Sequence, residues 1–234
     1  MPLLATAAVA MWWDVAEDRL AEFHEWHSKE HLPERLSIPG FNRGSRWQRG
    51  DAVFVIYELA DYATLTSPAY RARLDNPTPW STAMMPLHRN MVRSQARIVA
   101  SRGAGIATFM ATLRLSPAAG GRDALDTALR AAVAGLPERK GITGAHLLHT
   151  DTPAAGRTRE QKIRGGDAAA DWIFLVSGHD ESALEAVLSE DLGPAALAAA
   201  GAEGAPRGEV FRLVHAMTPA DVQGSDVPSE TGAA

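Results

Sequence analysis

The chain has 234 residues, enough for one large domain or two small ones, with ordinary apolar (46%) and charged (22%) content. A net charge of −5 leaves no basic footprint for nucleic acid, and the cluster Arg43, Arg46, Arg49 is balanced by acids nearby. The absence of cysteine excludes disulfides, thiolate nucleophiles and Cys-based zinc sites.

Met1 to Trp13 is apolar but short and lacks a basic leader, so it reads as a strand, Leu3 to Trp12, and not as a signal peptide. No run approaches the ~20 apolar residues that span a bilayer. A soluble cytoplasmic protein without membrane or nucleic-acid partners is the expectation. Asp14 is placed to cap a helix from Val15 to Leu32, which Pro33 should end or kink. Pro39-Gly40 is a turn. Phe41 to Gln48 and Ala52 to Leu59 read as strands around the turn Arg49-Gly50-Asp51. A helix is expected from Asp61 to Leu74, broken by Asn76-Pro77-Thr78-Pro79, and Met91 to Ala100 closes the first half. After the joint Gly103-Ala104-Gly105 the pattern repeats. Strands are expected at Ile106 to Leu115, Gly144 to Thr150, Asp171 to Ser177 and Glu209 to Met217. Helices are expected at Asp123 to Leu136 and Ser182 to Ala200, the latter interrupted at Gly193-Pro194. Thr152 to Ala170 reads as a mobile loop and Ala220 to Ala234 as a disordered tail.

The order β-α-β-β-α-β occurs twice, so the fold class is α+β, built from two tandem ferredoxin-like units. The units are 1–102, which carries the candidate site, and 103–219, which is mainly structural; 220–234 is the tail. Each unit leaves one sheet face bare, and two units in one chain can cover each other. The barrel then closes internally, so a homodimer is optional.

The segment Phe23 to Arg35 is the densest in chemistry, with three of the eight histidines in eight residues. At about 100° per residue, Leu20, Phe23, His24, His27 and His31 fall within an arc of about 100°, the width of a core-facing stripe. Asp18, Glu22, Glu25 and Lys29 take the opposite side. A buried imidazole is costly without a partner, so either backbone carbonyls satisfy these rings or they are used. Histidine both accepts and donates protons near neutral pH, which favours an acid–base role. His31 is the principal candidate, with His27 assisting and His24 and Glu30 orienting. His27 and His31 have the i, i+4 spacing of metal ligands, but no His-Glu-x-x-His string exists, and no metal or cofactor is expected. Trp47, Tyr57 and Trp80 are candidates for a substrate cavity, with His88 and Arg89 at its mouth; packing aromatics are the competing reading. The second unit's first helix carries Leu125, Leu129, Val133 and Leu136 and no histidine, so one site per chain is expected. No dinucleotide fingerprint, phosphate loop or nucleophile elbow is present.

The stretch Phe23 to Pro33, with Ile38-Pro39-Gly40-Phe41 and the arginine-rich strand Arg43 to Trp47, resembles the EthD-like branch of the dimeric α/β-barrel superfamily. His31-Leu32-Pro33 matches that branch's His-x-Pro element, whereas His27 departs from its usual aromatic pair. Ser67-Pro68-Ala69-Tyr70 and Asn76 to Trp80 resemble segments of two-repeat members. The motif likeness spans roughly residues 3–100, and the second half matches by element order alone. The resemblance implies two ferredoxin-like sheets facing each other as a barrel. It leaves the reaction open, because the superfamily holds isomerases, cofactor-independent monooxygenases, dehydratases, decarboxylases, haem enzymes and binding proteins. The leading expectation is a cofactor-independent lyase or isomerase acting on a small aromatic or polyketide-like carbonyl compound. The alternatives are a cofactor-independent monooxygenase and a non-catalytic small-molecule binding protein.

Overall fold

A computed structural model describes residues 3–103, 105–151, 158–164 and 168–222. In the first unit, β1 is Ala7–Asp14, β2 Phe41–Arg49, β3 Ala52–Leu59 and β4 Arg89–Gly103. The helical stretch 17–36, here α1, lies between β1 and β2; α2 (Pro68–Asp75) and α3 (Pro79–Met84) lie between β3 and β4. In the second unit, β5 is Phe109–Pro117, β6 Ile142–Thr150, β7 Trp172–Gly178 and β8 Ala202–Met217. Its helices are α4 (Arg122–Gly135), α5 (Arg159–Arg164), α6 (Glu181–Ala186) and α7 (Pro194–Ala199), and α8 (Pro219–Val222) follows β8.

The eight strands form one closed antiparallel barrel in the order β1-β3-β2-β8-β5-β7-β6-β4. Each unit alone has the ferredoxin-like order, its fourth strand beside its first and its third between first and second. The seams β2–β8 and β4–β6 join the second strand of one unit to the fourth of the other, so closure removes every free edge. The fold is the tandem α/β barrel that the repeated element order implies.

Strand alternation divides the apolar residues into three cores. Ala8, Ala10 and Trp12 of β1 point into the barrel with Trp47, Phe54, Ile56 and Phe211, which fill it. Val9, Met11, Trp13, Val55 and Tyr57 point outward and pack beneath α1 and α2. Leu113, Leu147, Phe174 and Val176 form the matching layer beneath α4 and α6.

Several segments differ from the expected ones. Asp14 ends β1 and accepts a hydrogen bond from Asn90 Nδ2 (2.7 Å) instead of capping α1, whose first turn has no side-chain cap. The helix does not stop at Pro33. Proline has no N–H to donate and its ring crowds the carbonyl four residues back. Just before it, His27–His31 opens into a π turn, in which Leu32 N–H reaches the His27 carbonyl. The widened turn breaks the α ladder where Pro33 would have broken it, and the helix runs on through Leu32–Leu36. The expected helix Asp61 to Leu74 is two pieces, Tyr62–Thr66 and α2, because Ser67 is extended before Pro68 and caps α2 through Tyr70 N (3.2 Å). A second π turn, Val187–Asp191, separates α6 from α7. Within the segment read as a loop, 159–164 form α5, which packs on α2 and the Met85–Leu87 turn; 152–157 and 165–167 lie outside the described residues. Of the expected tail, 220–222 belong to α8, and 223–234 lie outside the described residues. No helix among the described residues is long and apolar enough to cross a membrane.

Candidate active site

The barrel interior is filled, so the chemistry-bearing cavity lies outside it, between the outer face of the first unit's sheet and its helices. Val9, Met11, Trp13 and Tyr57 form the floor, and Trp26, His27, His31 and Arg35 of α1 form the roof. Tyr70, His88, Arg93 and Glu160 close the sides. The side chains crowd this cavity, and its free volume is about 30 Å³. Gly44 sets the distance between roof and floor: a Cβ there would lie 2.5 Å from Leu32 Cδ1 and 3.0 Å from the Tyr57 ring.

The π turn places two imidazoles over this cavity, and such turns recur at functional sites. The His27 and His31 ring centres are 5.7 Å apart. Trp26 lies 4.5 Å from His31, and Trp13 lies 4.8 Å from His88. Phe23 completes the aromatic box at 5.4 Å from His27. His27 is 1% exposed, and neither ring nitrogen has a hydrogen-bond partner among the described residues. Burial, then the charge of Arg46, holds its pKa well below the ordinary histidine value, so it is a neutral base at pH 7. Trp13 Nε1 and Tyr57 Oη are also buried with no partner among the described residues. Burial raises the Tyr57 pKa, so its hydroxyl stays protonated and can donate.

An ionic group walls the far side. Arg35, 3% exposed, pairs with Glu160 of α5 and has Nη1 3.4 Å from Glu34 Oε2. His31 Nδ1 is 3.9 Å from the same Glu34 oxygen. Burial raises the Glu34 pKa against the pull of Arg35. Arg93 Nη2 donates to Tyr70 Oη at 2.7 Å.

Of the residues singled out in the sequence, His27, His31, Tyr57 and His88 meet in this cavity. The others do not line it. His24 turns to the sheet and pairs through Nε2 with Gln48 Oε1 (2.7 Å). Glu30 faces α3, where its Oε1 accepts from Thr78 Oγ1 (2.5 Å), Ser81 Oγ (3.2 Å) and Trp26 Nε1 (3.2 Å). Trp47 is inside the barrel, with Nε1 donating to Ser45 Oγ (2.9 Å). Trp80 packs on the outer core, and Arg89 is exposed, 3.5 Å from Asp51. Trp13 shares the Val9–Met11 alternation and Arg35 follows the His-x-Pro element, so both had a local signal. Glu160 had none, since it arrives from the other unit. No group of three His, Asp or Glu side chains among the described residues converges as a metal ion requires.

Barrel and cavity together define a tandem α/β barrel with a buried cavity lined by His27, His31 and His88. No family model and no curated protein matches the chain. Solved structures do match in fold. An anthrone oxidase-like protein has a TM-score of 0.64 and 12% identity, covering 91% of this chain and 93% of its own. A candidate monooxygenase from Fusobacterium nucleatum subsp. nucleatum has a TM-score of 0.60 at 9% identity, covering 92% and 96%. A candidate chlorite dismutase has a TM-score of 0.52 at 15% identity, covering 93% and 98%.

Proposed function

We propose that the cavity is the active site of a cofactor-independent enzyme that moves a proton on a small aromatic or polyketide-like carbonyl compound. The observation that supports it most is His27, a fully buried neutral imidazole with neither nitrogen partnered among the described residues, facing a cavity that also holds Trp13 Nε1 and Tyr57 Oη, which have no partner there either. His27 takes the acidic C–H proton of the substrate. The electron pair moves onto the carbonyl oxygen, which accepts hydrogen bonds from Tyr57 Oη and Trp13 Nε1. Return of the proton at another carbon is an isomerisation; loss of a β-hydroxyl, protonated by His31, is a lyase reaction. His88 borders the same space. Glu30 orients the roof by anchoring α1 to α3, and His24 fixes it to β2. The His31-Leu32-Pro33 element and the turn at Pro39-Gly40 support placement in the EthD-like branch, and a cytoplasmic location with one site per chain completes the reading.

A second reading is oxygen insertion by the same carbanion, favoured by the fold likeness to an anthrone oxidase-like protein and by the aromatic walls Trp13 and Trp26. The test is deuterium uptake from D₂O into a panel of small aryl ketones and β-diketones, with oxygen consumption followed in parallel. His27→Ala should slow exchange about 100-fold or more. Exchange unchanged in a folded His27→Ala protein refutes the assignment. Oxygen uptake selects the second reading. Ligand retained with neither exchange nor oxygen uptake selects a binding protein.

A further inference from the structure

The other basic cluster lies at the β2–β8 seam, beneath the first turns of α1. Arg46 is 2% exposed, yet among the described residues no carboxylate pairs with it. Its Nη2 donates to Ser28 Oγ (3.0 Å), its Nη1 approaches the His24 carbonyl (3.5 Å), and its guanidinium lies 5.6 Å from the Phe23 ring centre. Its Nε is buried with no hydrogen-bond partner among the described residues. Directly across the seam, in register with Arg46, stands His215, whose Nδ1 is likewise buried and unpartnered. Opposed residues on one sheet face hold their side chains together, and two basic groups so placed repel. Asp221, the acid whose charge reaches His215, already accepts at Oδ2 from Thr218 N (2.7 Å) and Oγ1 (2.9 Å). A guanidinium taken out of water without a counter-charge is costly, and the missing charge is negative.

We propose that this seam is an anion site, in which Arg46 Nε and His215 Nδ1 together hold a small carboxylate. Nε–H meets no acceptor among the described residues, and His215, partly exposed, marks the side from which the anion enters. A carboxylate has two oxygens for two nitrogens on adjacent strands, and its single charge neutralises Arg46. Ser28 and the His24 carbonyl hold the other end of the guanidinium, so the fork is already oriented. The site joins the two units, because β2 belongs to the first and β8 to the second. It uses none of the atoms assigned to proton transfer.

The test uses the full chain, with sodium acetate as probe and sodium sulfate at matched ionic strength as control. Thermal unfolding and the ¹⁵N-edited Nε–H resonance of Arg46 are the readouts. Acetate should raise Tm saturably and move the Arg46 Nε–H resonance with the same apparent Kd. Arg46→Lys, which keeps the charge but lacks Nε–H, should weaken acetate at least tenfold, and His215→Phe should weaken it too. An equal Tm rise with sulfate signals exclusion of salt from the surface and overturns the site. So does an acetate response that leaves the Nε–H resonance unmoved, or one that Arg46→Lys retains. Should Arg46→Lys fail to fold, the wild-type resonance decides alone. His27→Ala should leave the acetate response intact, so the anion site and the acid–base reading fail separately.

Discussion

Removal of the Glu160 carboxylate tests whether α5 is part of the folded core. Arg35 and Glu160 have side chains 3% and 4% exposed, and Glu160 reaches Arg35 across 125 residues of chain. Breaking a buried pair from one side leaves a buried charge and costs about 3–5 kcal/mol. Glu34 Oε2, 3.4 Å from Arg35 Nη1, compensates in part, so Glu160→Ala should sit near the lower end, about 3 kcal/mol. For a chain of this size that corresponds to a fall in Tm of about 6–12 °C. Replacing the whole group, in Glu34→Gln/Arg35→Met/Glu160→Met, should undo most of the loss, leaving the protein within about 1 kcal/mol of wild type. Urea unfolding of Glu160→Ala and the triple variant separates the cost of the unpaired charge from that of the group as a whole. A Glu160→Ala protein within about 0.5 kcal/mol of wild type would refute the reasoning, since surface changes fall in that range.

Two further outcomes follow from the packing. His146, buried inside the barrel with Nδ1 2.9 Å from Ser101 Oγ, has its pKa pushed down to about 4 by burial and Arg43. The unfolded chain therefore takes up this proton first, so stability holds above pH 6.5 and falls by about 3 kcal/mol as the pH drops to 4. Urea unfolding at pH 7, 5 and 4 should show that slope flattened in His146→Leu; an unchanged slope counts against it. Gly44→Ala forces a methyl against Leu32 and Tyr57 and should cost about 1–3 kcal/mol, measured by calorimetry, with a loosened cavity roof.

Most of the strands could be read from the chain because alternation and β-branched or aromatic runs are local. Ala52–Leu59 carries both faces of the sheet in its own sequence: Phe54 and Ile56 point inward, Val55 and Tyr57 outward. The strand ends at β8 and β1 were less legible, since Ala202–Arg207 is paired by β5 without an apolar pattern of its own. The candidate site was half legible. His27, His31, Tyr57 and His88 stand out by residue type or face. A helical wheel assumes a constant turn, however, and the π turn at His27–His31 and the pairing of His24 with Gln48 depend on what α1 packs against. Trp47 and Tyr57 are both aromatic strand residues, and only the direction of the pleat sends one into the barrel and the other to the cavity. Glu160 needed tertiary structure, because its partner lies in the other unit.

The crossed seams have one more consequence. A barrel made from two identical chains must carry every substitution twice, once in each half. Here each position is written once. The chain can keep His27 and His31 over one sheet and place Leu125, Leu129 and Val133 beneath the corresponding helix of the other. It can also spend an insertion in the second half, α5, on walling the cavity of the first. Covalent joining at 103–105 thus releases the molecule from its own symmetry, and one half can specialise while the other completes it.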